Sequence, residues 1–137
     1  MRVFPKAKDN FHEPWHVAGD MFSAHMEASF EQLDNRLMIA VTGRLDTVSA
    51  PQFDEKLAPA LAQPNAHILI DMSGVTYVSS AGLRSILQLV KSAAASGGRV
   101  GLFSVPPQIM AIIEMSGLPS RLDLYPDRAG AISHRAS

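Results

Sequence analysis

The chain contains no cysteine. That excludes disulfide frameworks, thiolate zinc sites and thiol nucleophiles, and it suits a reducing compartment. Charge is also sparse: Asp, Glu, Lys and Arg make up 18% of the residues and the formal net charge is −1. Such a balance offers no electrostatic footprint for nucleic acid or for an anionic membrane surface. No apolar run approaches the roughly 18 residues that would insert across a bilayer. Arg2, Lys6 and Lys8 are not followed by an apolar stretch of about 7–15 residues, so no secretory signal is legible and the expected location is the cytoplasm. There is no internal repeat and no low-complexity tract. What the chain does have is 47% hydrophobic content over 137 residues, enough for one domain with its own core.

The chain divides near residue 26. Residues 1–25 are polar and rich in Pro and Gly, with Phe4, Phe11, Trp15 and Phe22 scattered at no regular period. This stretch reads as an N-terminal tail or extension, either mobile or packed on the domain through Trp15. Residues 26–137 read as the domain.

From Met26 the pattern is regular. Glu27–Leu33 reads as a strand, Asp34-Asn35 as a turn, and Leu37–Thr42 as a second strand stopped by Gly43. Ser49 is a candidate N-cap with Pro51 just inside a helix that carries Phe53, Leu57, Ala60 and Leu61. His67–Asp71 reads as a short buried strand, Ser73-Gly74 as a turn, and Val75–Val78 as a second extended piece. Leu83, Ile86, Leu87, Val90 and Ala94 then follow helical spacing to a stop at Gly97-Gly98. Arg99–Ser104 reads as a strand. Pro106-Pro107 opens a helix with Ile109, Ile112 and Ile113 on one face, ended by Gly117. Leu122–Tyr125 reads as a last strand, with a short helix over Asp127–His134.

Strands alternating with helices of these lengths predict an α/β fold: a four- to five-stranded, mostly parallel sheet with an N-terminal β-hairpin and crossover helices. In open sheets of this kind functional residues gather beyond the carboxyl ends of the strands. That edge would carry Arg44–Asp46, Ser79–Gly82 and Ser104–Pro107.

The run from Ile70 to Leu87, I-D-M-S-G-V-T-Y-V-S-S-A-G-L-R-S-I-L, puts two hydroxyls at the start of a helix. Either serine could simply cap the helix by accepting a first-turn N–H, and Ala81 and Gly82 could serve close helix–strand packing. The same free N–H groups and the positive end of the helix dipole also favour an added anion. A phosphate on Ser80 would bring about −1.5 to −2 charges to a place able to hold them, while a partner pressed on that surface would be repelled.

With those residues in view, the chain resembles the STAS domain, the fold of bacterial anti-sigma factor antagonists and of the cytosolic ends of sulfate transporters. The resemblance runs from about Met26 to about His134 and rests on G-R-L-D at 43–46, on I-D-M-S-G-V-T-Y-V-S-S-A-G-L at 70–83, and on the closing strand–helix–strand. It implies a binding protein without catalytic activity or cofactor. In the antagonist branch a serine is phosphorylated by an anti-sigma factor that is a GHKL-type serine kinase, and a PP2C-type phosphatase resets it. Ser80 matches the phosphoacceptor, with Ser79 as the alternative. Gly82 and Leu83 match the block's Gly-Leu, and Asp46 matches an acidic residue near the acceptor. Arg44, Asp46, Ser79, Ser80, Ala81, Gly82 and Leu83 are therefore the expected partner surface. The family's aspartate before the acceptor is Ser79 here. The resemblance also allows an alternative: a STAS subunit or scaffold, not phosphorylated, of a lipid-transport ABC complex or a stress-signalling assembly. No nucleic-acid partner and no direct membrane insertion are expected.

Other motifs carry less. His12-Glu13-Pro14-Trp15-His16 matches H-E-x-x-H, but Pro14 strains the helix that two zinc ligands would need. Ser80 lacks the leading Gly of a nucleophile elbow, and neither His67 nor His134 has an evident orienting partner. Asp46 and Asp71, at the ends of predicted strands, more readily cap turns than hold magnesium. Gly97–Gly101 leaves a helix and enters a strand, the wrong order for a phosphate loop. Met110, Ile113 and Leu118 are expected in the core or at its margin.

Overall fold

Asp34 adopts a left-handed conformation at φ 57°, which lets Asp34-Asn35 reverse the chain in two residues. The flanking strands β1 (Met26–Leu33) and β2 (Arg36–Leu45) pair antiparallel from Leu33↔Arg36 to Met26↔Gly43. In this computed structural model, which describes residues 26–117 and 122–133, the hairpin starts a five-stranded sheet of order β1-β2-β3-β4-β5. The remaining elements are α1 (Ala50–Leu61), β3 (His67–Val78), α2 (Ser80–Ala95), β4 (Arg99–Phe103), α3 (Pro107–Ser116), β5 (Asp123–Tyr125) and α4 (Arg128–Ser133). From β2 to β5 every pairing is parallel, so each connection needs a crossover and a helix supplies it. Residues 1–25, including the His12–His16 motif and Trp15, lie outside the described residues, as do Leu118 and His134.

Adjacent strand residues point to opposite faces, and the sheet uses both. Ile39, Ile70 and Leu102 meet α1, α2 and α3 through Phe53, Leu57, Ile86, Leu89, Val90, Ala93, Ile109 and Ile113. Their neighbours Met38, Leu69 and Phe103 form a smaller cluster on the other face with Ala131 of α4. Two helix faces differ from expectation. In α2 the buried stripe turns to Ala93, leaving Ala94 exposed. In α3 Ile109 and Ile113 are buried whereas Ile112 points outward.

Three strand features also differ. Gly43 does not stop β2: the strand continues to Leu45 with Gly43 at φ 94°. Ser73-Gly74 is not a turn but part of one continuous β3. The pairing advances from Ala40↔Asp71 to Thr42↔Gly74 and from Gly43↔Val75 to Arg44↔Tyr77, so β3 takes an extra residue twice. These bulges reset the alternation and let Met72, Val75 and Val78 all face the core at spacings of three. Gly74 is required by close approach, since a Cβ there would lie 2.6 Å from Thr42 Cγ2. Finally, Asp71 sits inside β3, where its Oδ1 accepts the Ser73 amide at 2.9 Å. It is roughly 20 Å along the strands from the end of β2 that carries Asp46, so the two do not share a site.

Candidate functional site at the carboxyl edge of the sheet

The β2–α1 loop is held by Asp46 and Ser49. Asp46 Oδ1 accepts the amides of Val48 and Ser49, each at 3.1 Å. Ser49 stands at the N-cap position of α1, yet its side chain does not cap the helix. Its buried hydroxyl instead donates to the Arg44 carbonyl at 2.7 Å and accepts the Asp46 amide at 2.9 Å. The reason is a local competition: Ser49 keeps α-region dihedrals, φ −89° and ψ −18°, which turn the hydroxyl back along the loop. The Asp46 carboxyl is held below the usual carboxylate range, chiefly by the Ser49 amide. Burial pushes the other way, while Arg44, the Val48 amide and the Ser49 hydroxyl reinforce the lowering.

Arg44 reaches both ways. Its Nε lies 3.3 Å from Asp46 Oδ2, and its guanidinium sits 4.2 Å from the centre of the Tyr77 ring, within cation–π range. Tyr77 is 42% exposed and Val48 52% exposed. Neither stood out in the sequence, where Tyr77 reads as an ordinary strand residue. The one signal was the Val75–Val78 spacing of three, which leaves both Thr76 and Tyr77 facing outward.

The end of β3 delivers the two serines into different roles. Ser79 has extended dihedrals, φ −92° and ψ 178°, and its Oγ accepts the Gly82 amide at 3.2 Å. Ser79 is therefore the cap. Ser80 is the first residue of α2, exposed, and its hydroxyl makes no hydrogen bond among the described residues. The Ser79 amide donates to the Leu45 carbonyl at 2.9 Å, which ties the start of α2 to the end of β2. Gly82 is buried on the same oxygen: a Cβ there would be 2.3 Å from it. Leu83 packs partly against the core. The structure thus gathers Arg44, Asp46, Ser79, Ser80 and Ala81 at one edge with Tyr77 and Val48, and turns Gly82 and Leu83 inward beneath them. Ser104, at the end of β4, is half-buried with φ 55°.

Among the described residues no group of three or more His, Asp or Glu side chains is placed to hold a metal ion. None of the described helices is long and apolar enough to cross a membrane.

Comparison with known proteins agrees with this geometry. The STAS domain family model matches residues 27–131. The chain is 26% identical over 101 residues to BtrV of Bordetella bronchiseptica, named as an anti-sigma factor antagonist, covering 74% of this chain and 84% of that protein. It is 26% identical over 108 residues to the anti-sigma-B factor antagonist of Bacillus subtilis, covering 79% of this chain and 98% of that protein. The crystal structure of an anti-sigma factor antagonist from Mycobacterium paratuberculosis superposes with a TM-score of 0.71 at 24% identity, over 81% of this chain and 94% of that one. With the family model matching residues 27–131, most of its length, this chain belongs to the STAS domain family.

Proposed function

We propose that this STAS domain is an anti-sigma factor antagonist that docks a GHKL-type serine kinase through the carboxyl edge of its sheet and is released when Ser80 is phosphorylated. The observation that carries this reading is the division of labour between the two serines. Ser79 is occupied as the helix cap, whereas the Ser80 hydroxyl is exposed and has no hydrogen bond to break among the described residues. The relatives are named as antagonists of anti-sigma factors, which supports an anti-sigma factor as the partner.

The electrostatics account for a switch. The Ser80 and Ala81 amides lie in the first turn of α2, where an α-helix supplies them no backbone acceptor. Together with the positive end of the helix they accommodate a phosphate of about −1.5 to −2 charges without unfolding the domain. A partner seated on Tyr77, Val48 and Arg44 would then have to desolvate that added charge on binding, a cost that expels it. The kinase supplies ATP and magnesium, the domain supplies only the hydroxyl, and a PP2C-type phosphatase restores it. The exposed aromatic and the arginine on it are the residue types that anchor protein interfaces.

Phosphate mapping after incubation with ATP, magnesium and the cognate kinase tests this. One phosphate on Ser80 is expected. Phosphate on Ser79 would move the acceptor, and no phosphate on a chain that still holds a stable partner would favour the scaffold reading.

A further inference from the structure

At the opposite end of the sheet from Ser80, roughly 35 Å away along β3, α1 and the hairpin enclose a groove of about 780 Å³. Its floor and walls are Phe30, Leu37, Pro59, Ala60, Ala66 and Ile68. Phe30, Leu37, Ala60 and Ala66 are only half-buried, so the groove leaves apolar surface facing outward, in the size range of small-molecule sites. The Pro59 ring adds a rigid apolar wall in the last turns of α1.

The rim is fixed in advance. The α1–β3 turn is tied to the α2–β4 turn by the Asn65 amide on the Ser96 carbonyl and by the Arg99 amide on the Ala66 carbonyl, both at 2.8 Å. On the other side Gln32 Nε2 donates to the Asp34 and Arg36 carbonyls at 3.2 and 3.1 Å, holding the hairpin turn. A groove held open this way loses little conformational freedom when filled.

Its charge is one-sided. Among the described lining residues Lys56 carries the one full charge and none is acidic. A trough with an apolar floor, uncharged polar side chains at Gln32, Asn35, Gln63, Asn65 and His67, and a single ammonium at Lys56 complements an amphiphile that has one aliphatic chain and one negative head. We infer that this groove binds a free fatty carboxylate, with the chain along Phe30, Leu37 and Ala60 and the carboxylate at Lys56. The site is independent of the Ser80 reading, since uptake is measured without any kinase.

The test uses the full-length protein and titrates dodecanoate below its micelle concentration by displacement of a fluorescent fatty-acid probe. Saturable one-to-one binding with a Kd on the order of micromolar is expected. Affinity should rise about two- to fourfold per methylene from octanoate to dodecanoate. Lys56→Glu, a change on an exposed helix face, should weaken binding about tenfold, and Ala60→Trp should block it. Dodecyltrimethylammonium, with the same chain and the opposite charge, should not compete. Absence of saturable uptake, equal binding of the cationic amphiphile, or indifference to Lys56→Glu each overturns the proposal; a groove already filled by another part of the chain would give the first of these.

Discussion

The carbonyl of Leu45 accepts the amide of Ser79 at 2.9 Å, and Gly82 closes on the same oxygen. One atom of β2 thus sets both the start and the tilt of α2. Gly82→Ala would place a methyl 2.3 Å from that oxygen, and backbone on both sides leaves little to yield. A loss of about 1–3 kcal/mol is expected, read as a lower midpoint in urea unfolding with an unchanged slope.

The two serines should separate in stability as they do in geometry. Ser79→Ala removes the acceptor for the Gly82 amide and should cost about 1 kcal/mol. Ser79→Asp, which keeps a capping oxygen, should recover most of it. Ser80→Ala touches no hydrogen bond among the described residues and should stay within about 0.5 kcal/mol of the parent. Urea denaturation of the three variants side by side checks this.

Asp46 gives the site a pH dependence of known sign. Its carboxyl is held low, chiefly by the Ser49 amide, against the opposing effect of burial. A depressed folded-state pKa contributes stability that is complete above the unfolded value of about 3.9 and is lost as pH falls through the folded value. The β2–α1 loop should therefore loosen below about pH 4. Asp46→Asn should lower stability at neutral pH and flatten the acid limb of a stability profile taken from pH 2 to 7. An acid limb of unchanged steepness in that variant would mean the carboxyl is not held low.

Much of the fold was legible in the chain, and the exceptions share a physical cause. Helices and the hairpin follow from apolar spacing and from Asp34-Asn35, because those patterns reflect one element's own geometry. The division of β3 at Ser73-Gly74 failed because glycine serves close approach as well as turns: Gly74 lies on Thr42, a contact set by the neighbouring strand. The bulges that keep Val75 and Val78 facing inward are likewise a property of the pair β2–β3. At the edge, Ser79 and Ser80 were equivalent as letters. Only the dihedrals of Ser79 decide which of them caps. Ser49 failed as a cap for the converse reason, since Asp46 and the Arg44 carbonyl claim its hydroxyl. Tyr77 became visible only once Arg44 was seen on its face.

Tyr77 and Arg44 should matter for binding far more than for folding. Both are exposed, so Tyr77→Ala should change stability by less than about 1 kcal/mol. As a flat, partly desolvated anchor it should weaken docking of the cognate anti-sigma factor at least about tenfold. Arg44→Ala should act on the same interface and, by releasing Asp46 Oδ2, should also shift the acid limb described above. Calorimetric titration with the partner, alongside unfolding curves, separates the two effects.

The central claim is tested most directly by the affinity of the cognate anti-sigma factor kinase for the same chain with and without phosphate on Ser80. Unmodified protein should bind, and protein stoichiometrically phosphorylated at Ser80 should bind at least about a hundredfold more weakly, a difference of roughly 2.7 kcal/mol, while its circular dichroism and unfolding midpoint stay unchanged. Equal affinity of the two forms would contradict the account and leave Ser80 as no more than the first residue of a helix.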